Sequence, residues 1–417
     1  MDCSIRVDRH LIRAAGGSTR YAVVSIVAPQ APPKAGREPL HVSLVLDRSG
    51  SMGGQKIVLA REAVRQALQA LRPADRFSLI VYDEEITTVV ESVKATAEAR
   101  RNAMAKLARI DARGSTDLHG GWRAGCGQLA AHLGAEQVGR CLLLTDGQAN
   151  VGIADPAELA ALAGAARKDR RLATSTFGVG DDFDERLLRG MADTSGGRFY
   201  YIEQPAQIPD LLTSELGELL QVVARDAGLT LQLPKGVEVA PLNALETAAV
   251  TGGIQIRLGD LVSGQQLDVV VALTFPAGHA GDTVAVQFGL SDRDGALAAP
   301  PQALGWSYAT DRSQRDQPRE VIVDRAVAGL YAARARAEAL ELNRAGKYKE
   351  ARAILEQTAR RIDGYAGGDA ELKAAAEGLR AEGADFGHVM DQKVMKQRYF
   401  NSYSISRNRM PDGKARR

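Results

Sequence analysis

Short side chains that carry oxygen atoms follow one apolar segment at alternate positions. The segment 41–46 (His-Val-Ser-Leu-Val-Leu) ends at Asp47, and the hydroxyls of Ser49 and Ser51 come next, separated by Gly50. A carboxylate and two hydroxyls at this spacing can surround one hard cation, because ions such as Mg²⁺ bind oxygen ligands in near-octahedral geometry. The same residue types are also common in polar turns. By itself, the stretch therefore indicates either a metal-binding loop or a turn.

Two further stretches carry polar residues of the same kind. The segment 140–144 (Arg-Cys-Leu-Leu-Leu) leads into Thr145 and Asp146, and a glycine follows. Between the two apolar segments lies a Gly-rich polar loop, 113–121, which contains Thr116 and precedes a helix-like segment. A buried strand that stops at an acidic residue is typical of a central strand in a doubly wound sheet, whose carboxyl end opens onto a site.

Strand-like and helix-like segments alternate along residues 39–224, and these are the elements that must position the loops. Apolar residues recur every three or four positions between residues 56 and 71, which predicts a helix packed on one side. Thr96 is expected to cap a second helix, and Asp184 and Gly196 are expected to begin and end a third. The alternation predicts an α/β fold, a doubly wound and mostly parallel sheet with helices on both faces.

Together, the three polar stretches resemble the metal-ion-dependent adhesion site of von Willebrand factor A (VWA) domains. The resemblance lies in Asp47-x-Ser49-x-Ser51, in Thr116 within Gly-Ser-Thr-Asp-Leu, and in Asp146 within Thr-Asp-Gly, and it covers roughly residues 39–224. It implies that the two serines and the threonine donate hydroxyl ligands, and that one or both carboxylates act directly or through water. The implied ion is Mg²⁺, with Mn²⁺ or Ca²⁺ as alternatives.

The resemblance implies a non-enzymatic protein-protein interaction module. A cation that keeps one coordination position open would accept an Asp or Glu carboxylate from a partner protein in place of water. Three other functions stay open at this point. One is an accessory subunit of an AAA-type ATPase, as in chaperones or chelatases, the second is a metal-dependent phosphatase, and the third is nucleic-acid binding through the basic tail.

The same residues argue against three kinds of enzyme. A haloacid-dehalogenase-type phosphatase needs a second Asp two positions after the first, and that position holds Ser49. A phosphate-binding P-loop needs G-x-x-x-x-G-K-[ST], and the stretch 50–57 does not match this spacing. A nucleophilic Ser51 would need a base, and only His119 from the second loop could approach it.

Composition gives no case for nucleic acid or a membrane as the general partner. The 417 residues carry a net charge of +2, and nearly half of them are hydrophobic. The first residues lack the apolar core of a signal peptide, and no apolar run approaches the roughly 18 residues of a membrane-spanning helix. Three scattered cysteines favour a reducing compartment, so a cytoplasmic location is expected, and the resemblance implies a bacterial-type protein. The sequence carries no indication of an oligomeric state.

The remaining segments predict a second region around the metal domain. Residues 226–315 show short strands separated by turns, which predicts a β-sandwich. Residues 1–35 hold N-terminal strands that are expected to complete this sandwich, so that the VWA domain would be inserted in it, with a Pro- and Gly-rich boundary over residues 28–36. Residues 318–390 predict a helical hairpin or bundle. Residues 391–417 form a basic tail, expected to dock as far as Ile405 and to be disordered beyond it.

Overall fold

The computed structural model describes residues 2–31, 38–134, 137–297 and 299–417. Contacts divide the chain into two units, one made of Met1–Pro32 with Gln221–Arg417 and the other of Pro33–Leu220. The boundary predicted over residues 28–36 lies largely outside the described residues. Within the described ranges, no helix combines the length and the apolarity needed to cross a bilayer.

Strands and helices alternate in the unit that carries the predicted metal loops. The first three strands of the chain, β1 (Asp2–Val7), β2 (Leu11–Arg13) and β3 (Ser18–Val27), belong to the other unit. The elements that follow are β4 (His41–Asp47), α1 (Gln55–Ala70), β5 (Arg76–Tyr82), β6 (Ile86–Lys94), α2 (Ala97–Leu107), α3 (Leu118–Ala130), β7 (Gly139–Thr145), α4 (Pro156–Arg170), β8 (Leu172–Val179), α5 (Glu185–Ser195), β9 (Phe199–Ile202) and α6 (Ile208–Leu219).

One sheet forms the centre of this unit, with strand order β6-β5-β4-β7-β8-β9. All neighbouring strands run parallel except the edge pair β5 and β6. Every residue of β4 and β7 is buried, as expected for central strands covered on both faces. Because β4 and β7 are parallel neighbours, with Leu46 opposite Leu144, the loops after them leave the sheet side by side.

Helices cover both faces of the sheet. Right-handed crossovers place α1 on one face and α4 and α5 on the other, because the chain moves in opposite directions along the sheet from β4 and from β7. α6 packs against α1, and α3 packs against β4, β5 and β7. The predicted helix caps are present: Thr96 Oγ1 accepts from the amide of Ala99, and α5 begins after Asp184 and ends at Gly196 in the left-handed conformation.

A buried ionic cluster fixes the last helix of the unit to the sheet. Arg198, just before β9, forms ion pairs with Glu215 and Glu218 of α6 at 2.7 and 2.6 Å. Glu215 also accepts hydrogen bonds from Ser175 Oγ at 2.6 Å and from the Tyr200 hydroxyl at 2.7 Å. Both glutamates are buried, so α6 is held to the sheet by carboxylates that are largely shielded from solvent.

The other unit contains a β-sandwich. Its later strands are β10 (Val222–Gln232), β11 (Glu238–Pro241), β12 (Thr247–Val250), β13 (Gly253–Val262), β14 (Gln266–Phe275), β15 (Thr283–Ser291) and β16 (Gln302–Ala309). The sheets have strand orders β1-β3-β14-β11 and β12-β13-β10-β15-β16-β2. One apolar core joins them, with Phe275 and Trp306 in ring contact at 5.0 Å. The N-terminal strands thus lie in both sheets, β3 between β1 and β14.

Helices complete this unit: α7 (Asp311–Asp316), α8 (Val321–Arg344), α9 (Tyr348–Ala366), α10 (Ala370–Glu382) and α11 (Gln392–Ser406). α8 packs against α9, α10 and α11, and its residues Val323, Val327 and Leu330 share an apolar cluster with Tyr21 and Val23 of β3. The predicted fold class is confirmed: the chain has a mostly parallel α/β sheet, additional β-sheets and a helical C-terminal region.

The expectation that the chain is disordered beyond Ile405 is wrong. α11 extends to Ser406, and the chain then turns back so that Arg409 bridges to Ala415. Arg416 forms an ion pair with Asp268 of β14 at 3.0 Å, and its carbonyl accepts from the amide of Gln266 at 2.8 Å. The basic residues suggested a solvated tail, but a carboxylate and a free strand amide of the sandwich provide partners for it.

Candidate metal centre

Asp47 is fully buried at the carboxyl end of β4, and both of its oxygens accept hydrogen bonds. Oδ1 accepts from the amide of Ser49 at 2.7 Å, and Oδ2 accepts from the hydroxyl of Thr145 at 2.6 Å. The first bond closes the turn after β4, and the second joins the ends of β4 and β7. The carboxylate is therefore held in one orientation by the two central strands.

The two serines connect Asp47 to Asp146. Ser51 Oγ lies 3.2 Å from Ser49 Oγ and donates to Asp146 Oδ1 at 2.7 Å. Ser49 and Asp146 are buried, whereas Ser51 is exposed, so the hydroxyl of Ser51 marks the side of the cluster that faces solvent. The alternate spacing of the two serines thus places both hydroxyls on the same side of the loop as the carboxylates.

Thr116 joins the cluster from the second loop. A methyl group added at Gly147 would lie 3.5 Å from Thr116 Oγ1 and 3.6 Å from Ser51 Oγ, so one atom-sized position lies beside both hydroxyls. The backbone of Thr116 is fixed by Asn150: its amide donates to Asn150 Oδ1 at 2.9 Å, and its carbonyl accepts from the amide of Asn150 at 3.2 Å. The structure thereby brings all five predicted site residues together.

Backbone and ionic contacts hold the first two loops in register. The amide of Gly50 donates to the carbonyl of Gly114 at 3.0 Å, and the amide of Arg113 donates to the carbonyl of Arg48 at 2.7 Å. The side chains of Arg48 and Arg113 both pair with buried Asp83, at 3.0 and 2.7 Å. Asp83 therefore neutralises the arginine that interrupts the Asp47-x-Ser49 motif, and that guanidinium does not compete for the metal-site carboxylates.

Lys56, in the first turn of α1, forms an ion pair with Asp146 Oδ2. Its side chain is 25% exposed, while that of Asp146 is completely buried. Asp146 therefore uses one oxygen for Ser51 and the other for Lys56. Asp117, in contrast, caps α3 by accepting from the amide of Gly120 at 2.8 Å.

Two buried carboxylates and one ammonium group give this cluster an excess of negative charge when both carboxylates are ionised. Desolvation raises the pKa of Asp47 to about 6, and the charge of Asp146 adds to this rise, while hydrogen bonds from Thr145 and Ser49 oppose it. With Asp47 and Asp146 ionised, Lys56 alone balances two carboxylates. Buried charges are costly unless they are paired, so a bound cation would stabilise this arrangement.

The donor set fits a hard divalent cation. Two carboxylates and three hydroxyls from three loops supply oxygen atoms only, the ligands that Mg²⁺, Mn²⁺ and Ca²⁺ prefer. Among the described residues, no group of three or more His, Cys, Asp or Glu side chains is arranged to hold a metal. An ion at this site would therefore depend on the hydroxyls as well as on the carboxylates.

Three contributors to the site carried no signal of their own in the sequence. Thr145 was noted only as part of the Thr-Asp-Gly stretch, and Lys56 only as the start of a helix, although both contact the predicted carboxylates. Asn150 lies in the loop after Asp146 and fixes Thr116. Their positions depend on how β4, β7 and α1 pack, which a local pattern does not show.

Comparison with known proteins identifies the domain that carries this site. The family model for the von Willebrand factor type A domain matches residues 41–214. An uncharacterised protein of Synechocystis, sll0103, is 29% identical over 296 residues, which cover 67% of this chain and 69% of that protein. The human inter-alpha-trypsin inhibitor heavy chain H4 is 32% identical over 202 residues, which cover 46% of this chain and 21% of the heavy chain.

Solved structures share the fold more widely. A von Willebrand factor type A protein from Catenulispora acidiphila aligns with a TM-score of 0.69 at 20% identity, covering 92% of this chain and 96% of that one. At this identity the likeness shows the fold alone. The likeness covers both units, whereas the family model is confined to the unit with the metal loops.

Proposed function

Residues 41–214 are a von Willebrand factor type A domain, and we propose that this domain binds a partner protein's carboxylate through a divalent cation. Domains of this family are usually protein-interaction modules and commonly bind a divalent metal. The proposed ligands are Asp47, Ser49, Ser51, Thr116 and Asp146. Mg²⁺ is the proposed ion, with Mn²⁺ or Ca²⁺ able to replace it in the same oxygen-donor set.

The observation that carries the proposal is the convergence of these five side chains at one edge of the sheet. Asp47 and Asp146 lie at the buried base of the proposed metal site, and Ser51 lies at its exposed side. A divalent cation that binds the neutral hydroxyls directly and one of the two carboxylates through water keeps part of its positive charge. It therefore attracts an anionic oxygen from the solvent side, which an Asp or Glu of a partner would supply.

The contacts of Ser51 support a binding role over a catalytic one. Its hydroxyl donates to Asp146 and lies beside the hydroxyl of Ser49. Among the described residues, no histidine is recorded as a hydrogen-bond partner of Ser51, so the arrangement offers no base to activate it. Ser49 stands where a phosphatase of the aspartate type would need its acid-base residue. We propose that the domain is not an enzyme.

We propose a cytoplasmic location on the basis of the cysteines. Cys3, Cys126 and Cys141 are all free, and the latter two are buried in the von Willebrand A domain. Free buried thiols are typical of proteins in reducing compartments.

Titration with Mn²⁺, followed by electron paramagnetic resonance, tests the metal site directly. We expect one bound ion per chain for the wild type and a large loss of affinity for Asp47→Ala. Asp169→Ala is the matched control, because Asp169 is an exposed carboxylate near the end of α4, at the opposite edge of the sheet. Equal Mn²⁺ binding by all three proteins would contradict the proposal.

A capture experiment with the same proteins tests the partner. A partner recovered by the wild type and Asp169→Ala with Mg²⁺, but lost with a chelator or with Asp47→Ala, would support binding through the cation. Recovery that is identical under all these conditions would place the interaction elsewhere on the chain.

A further inference from the structure

The ion pair between Lys56 and Asp146 places a positive charge beside the proposed cation site, although Asp146 does not need this contact to be held in place. Asp146 is already oriented by Ser51, which donates to Oδ1 at 2.7 Å, while Lys56 takes Oδ2. A positive charge beside a cation site opposes binding of the cation, because like charges at a few ångströms repel. A neutral donor would hold Asp146 without this cost.

The ammonium group of Lys56 lies at the rim of the site. A methyl group added at Gly180, just after β8, would lie 3.8 Å from Lys56 Nζ, so Nζ lies at the carboxyl edge of the sheet. A quarter of its side chain is exposed. Asp146 is the one partner recorded for Lys56 within the described residues, and an ammonium group has three N–H donors. Donors therefore remain for a ligand that arrives from solvent.

Counting charges shows what Lys56 changes. Asp47, Asp146 and Lys56 together carry a net charge of −1, and a divalent cation brings this to +1. With a neutral residue at position 56, the loaded site would carry no net charge. Lys56 thus makes the loaded site cationic at the expense of affinity for the metal, and a cationic site favours an anionic ligand.

We propose that Lys56 is the second contact for the partner's carboxylate. The cation binds one carboxylate oxygen, and the Lys56 ammonium donates a hydrogen bond to the other. This assignment rests on the proposed function, and it deepens that function by naming what selects the ligand. A carboxylate fulfils both contacts with its two anionic oxygens, whereas an amide or a hydroxyl does not.

The proposal predicts two changes of opposite sign when the charge is removed. In Lys56→Gln we expect Mn²⁺ to bind roughly tenfold more tightly, because a like charge has been removed from the site. We expect acetate to bind the Mn²⁺-loaded protein roughly tenfold more weakly, because a charge-assisted hydrogen bond has been lost. If Lys56 merely supported the fold, its replacement would weaken the binding of Mn²⁺ and of acetate alike.

The experiment uses acetate as the carboxylate and acetamide as its neutral counterpart. Mn²⁺ affinity is measured by electron paramagnetic resonance, and each small molecule is followed by paramagnetic relaxation of its methyl protons on the Mn²⁺-loaded protein. Lys56→Arg keeps the charge, so its affinities for Mn²⁺ and for acetate should stay within about threefold of those of wild type. Lys56→Met keeps the aliphatic stem and serves if Lys56→Gln fails to fold.

Lys168→Gln is the matched control, since it removes one lysine charge from the exposed end of α4 at the opposite edge of the sheet. It should leave Mn²⁺, acetate and acetamide binding unchanged. Unchanged acetate binding in Lys56→Gln, with intact Mn²⁺ binding, would overturn the role of Lys56 and leave the metal site standing. Failure of the wild type to bind Mn²⁺ would overturn the proposed function and this inference with it.

Discussion

Thr145 donates its hydroxyl hydrogen to Asp47 Oδ2 at 2.6 Å, across 98 positions of the chain. The two residues end β7 and β4, and both are completely buried. Because the amide of Ser49 binds the other oxygen of Asp47, the carboxylate has no freedom to rotate. A metal ligand that is fixed in advance loses little conformational entropy on binding, and this makes Thr145 a positioning residue of the proposed site.

Thr145→Val should weaken metal binding while the domain stays folded. Valine keeps the shape of threonine but removes the hydrogen bond to Asp47, so we expect about a tenfold loss of Mn²⁺ affinity. Thr174→Val is the control, because Thr174 is a buried threonine of neighbouring β8 whose hydroxyl accepts from Trp122 instead. Titration of both variants checks this, and equal losses would contradict a specific role for Thr145.

Gly147→Ala should block the site sterically. The added methyl group would lie between the hydroxyls of Thr116 and Ser51, at ordinary contact distances that the fold tolerates. We expect Mn²⁺ affinity to fall at least tenfold, with a free energy of unfolding within about 1 kcal/mol of wild type in chelator. Gly127→Ala adds a methyl group on α3 with nothing within 4 Å, and its metal binding should not change. Full Mn²⁺ affinity in Gly147→Ala would contradict the proposed ligand positions.

Asp47 should make the metal-free protein less stable as the pH rises. Burial raises its pKa from 3.8 to about 6, so between these values the folded state binds a proton that the unfolded state has lost. The contribution of Asp47 to the free energy of unfolding is therefore highest below pH 4 and falls through pH 6, by about 3 kcal/mol in all.

Asp47→Asn removes the titrating carboxyl group and tests whether the free energy of unfolding falls with rising pH as predicted. In chelator, the free energy of unfolding of the variant minus that of wild type should be more positive at pH 7.5 than at pH 4.5, by about 2 kcal/mol. Urea denaturation at the two pH values gives this difference, and other titrating groups cancel because both proteins carry them. A difference that does not depend on pH would contradict the prediction.

Arg198→Met should strongly destabilise the von Willebrand A domain. It removes the guanidinium that forms ion pairs with buried Glu215 and Glu218, and we expect a loss of roughly 3–5 kcal/mol in the free energy of unfolding. Arg65→Met removes an arginine that pairs with Glu62 on the exposed face of α1, where solvent screening should make the loss much smaller. Urea denaturation gives the free energy of unfolding of both variants. Similar losses would show that the buried ion pairs of Arg198 contribute no more to stability than an exposed pair does.

The sequence predicted the elements whose patterns are local and long. The apolar segments ending at Asp47 and Thr145 are β4 and β7, and the caps at Thr96 and Asp184 begin their helices. Short edge strands such as β2 and β12 carry no sequence signal of their own, because three or four residues show too little alternation to be distinguished from a turn.

The candidate site was predicted in part, for a similar reason. The motif indicated the five candidate ligands because their spacing within each loop is a local property. The roles of Thr145 and Lys56 depend instead on the register of two strands and on the first turn of α1, which only the assembled sheet determines. The order of the chain after Ser406 likewise depends on Asp268, well over a hundred positions away.

The pairing of β3 with β14 also sets an order of events during synthesis. Ser25 donates to Asp268, a partner 243 positions later, so β3 leaves the ribosome long before the strand that completes its sheet. At roughly 5–20 residues per second, the interval is about 12–50 s. All of the von Willebrand A domain is made within that time and can fold on its own contacts. The nascent chain meanwhile exposes an apolar strand with one unpaired edge, which can pair with other chains and so favours aggregation until β14 is made.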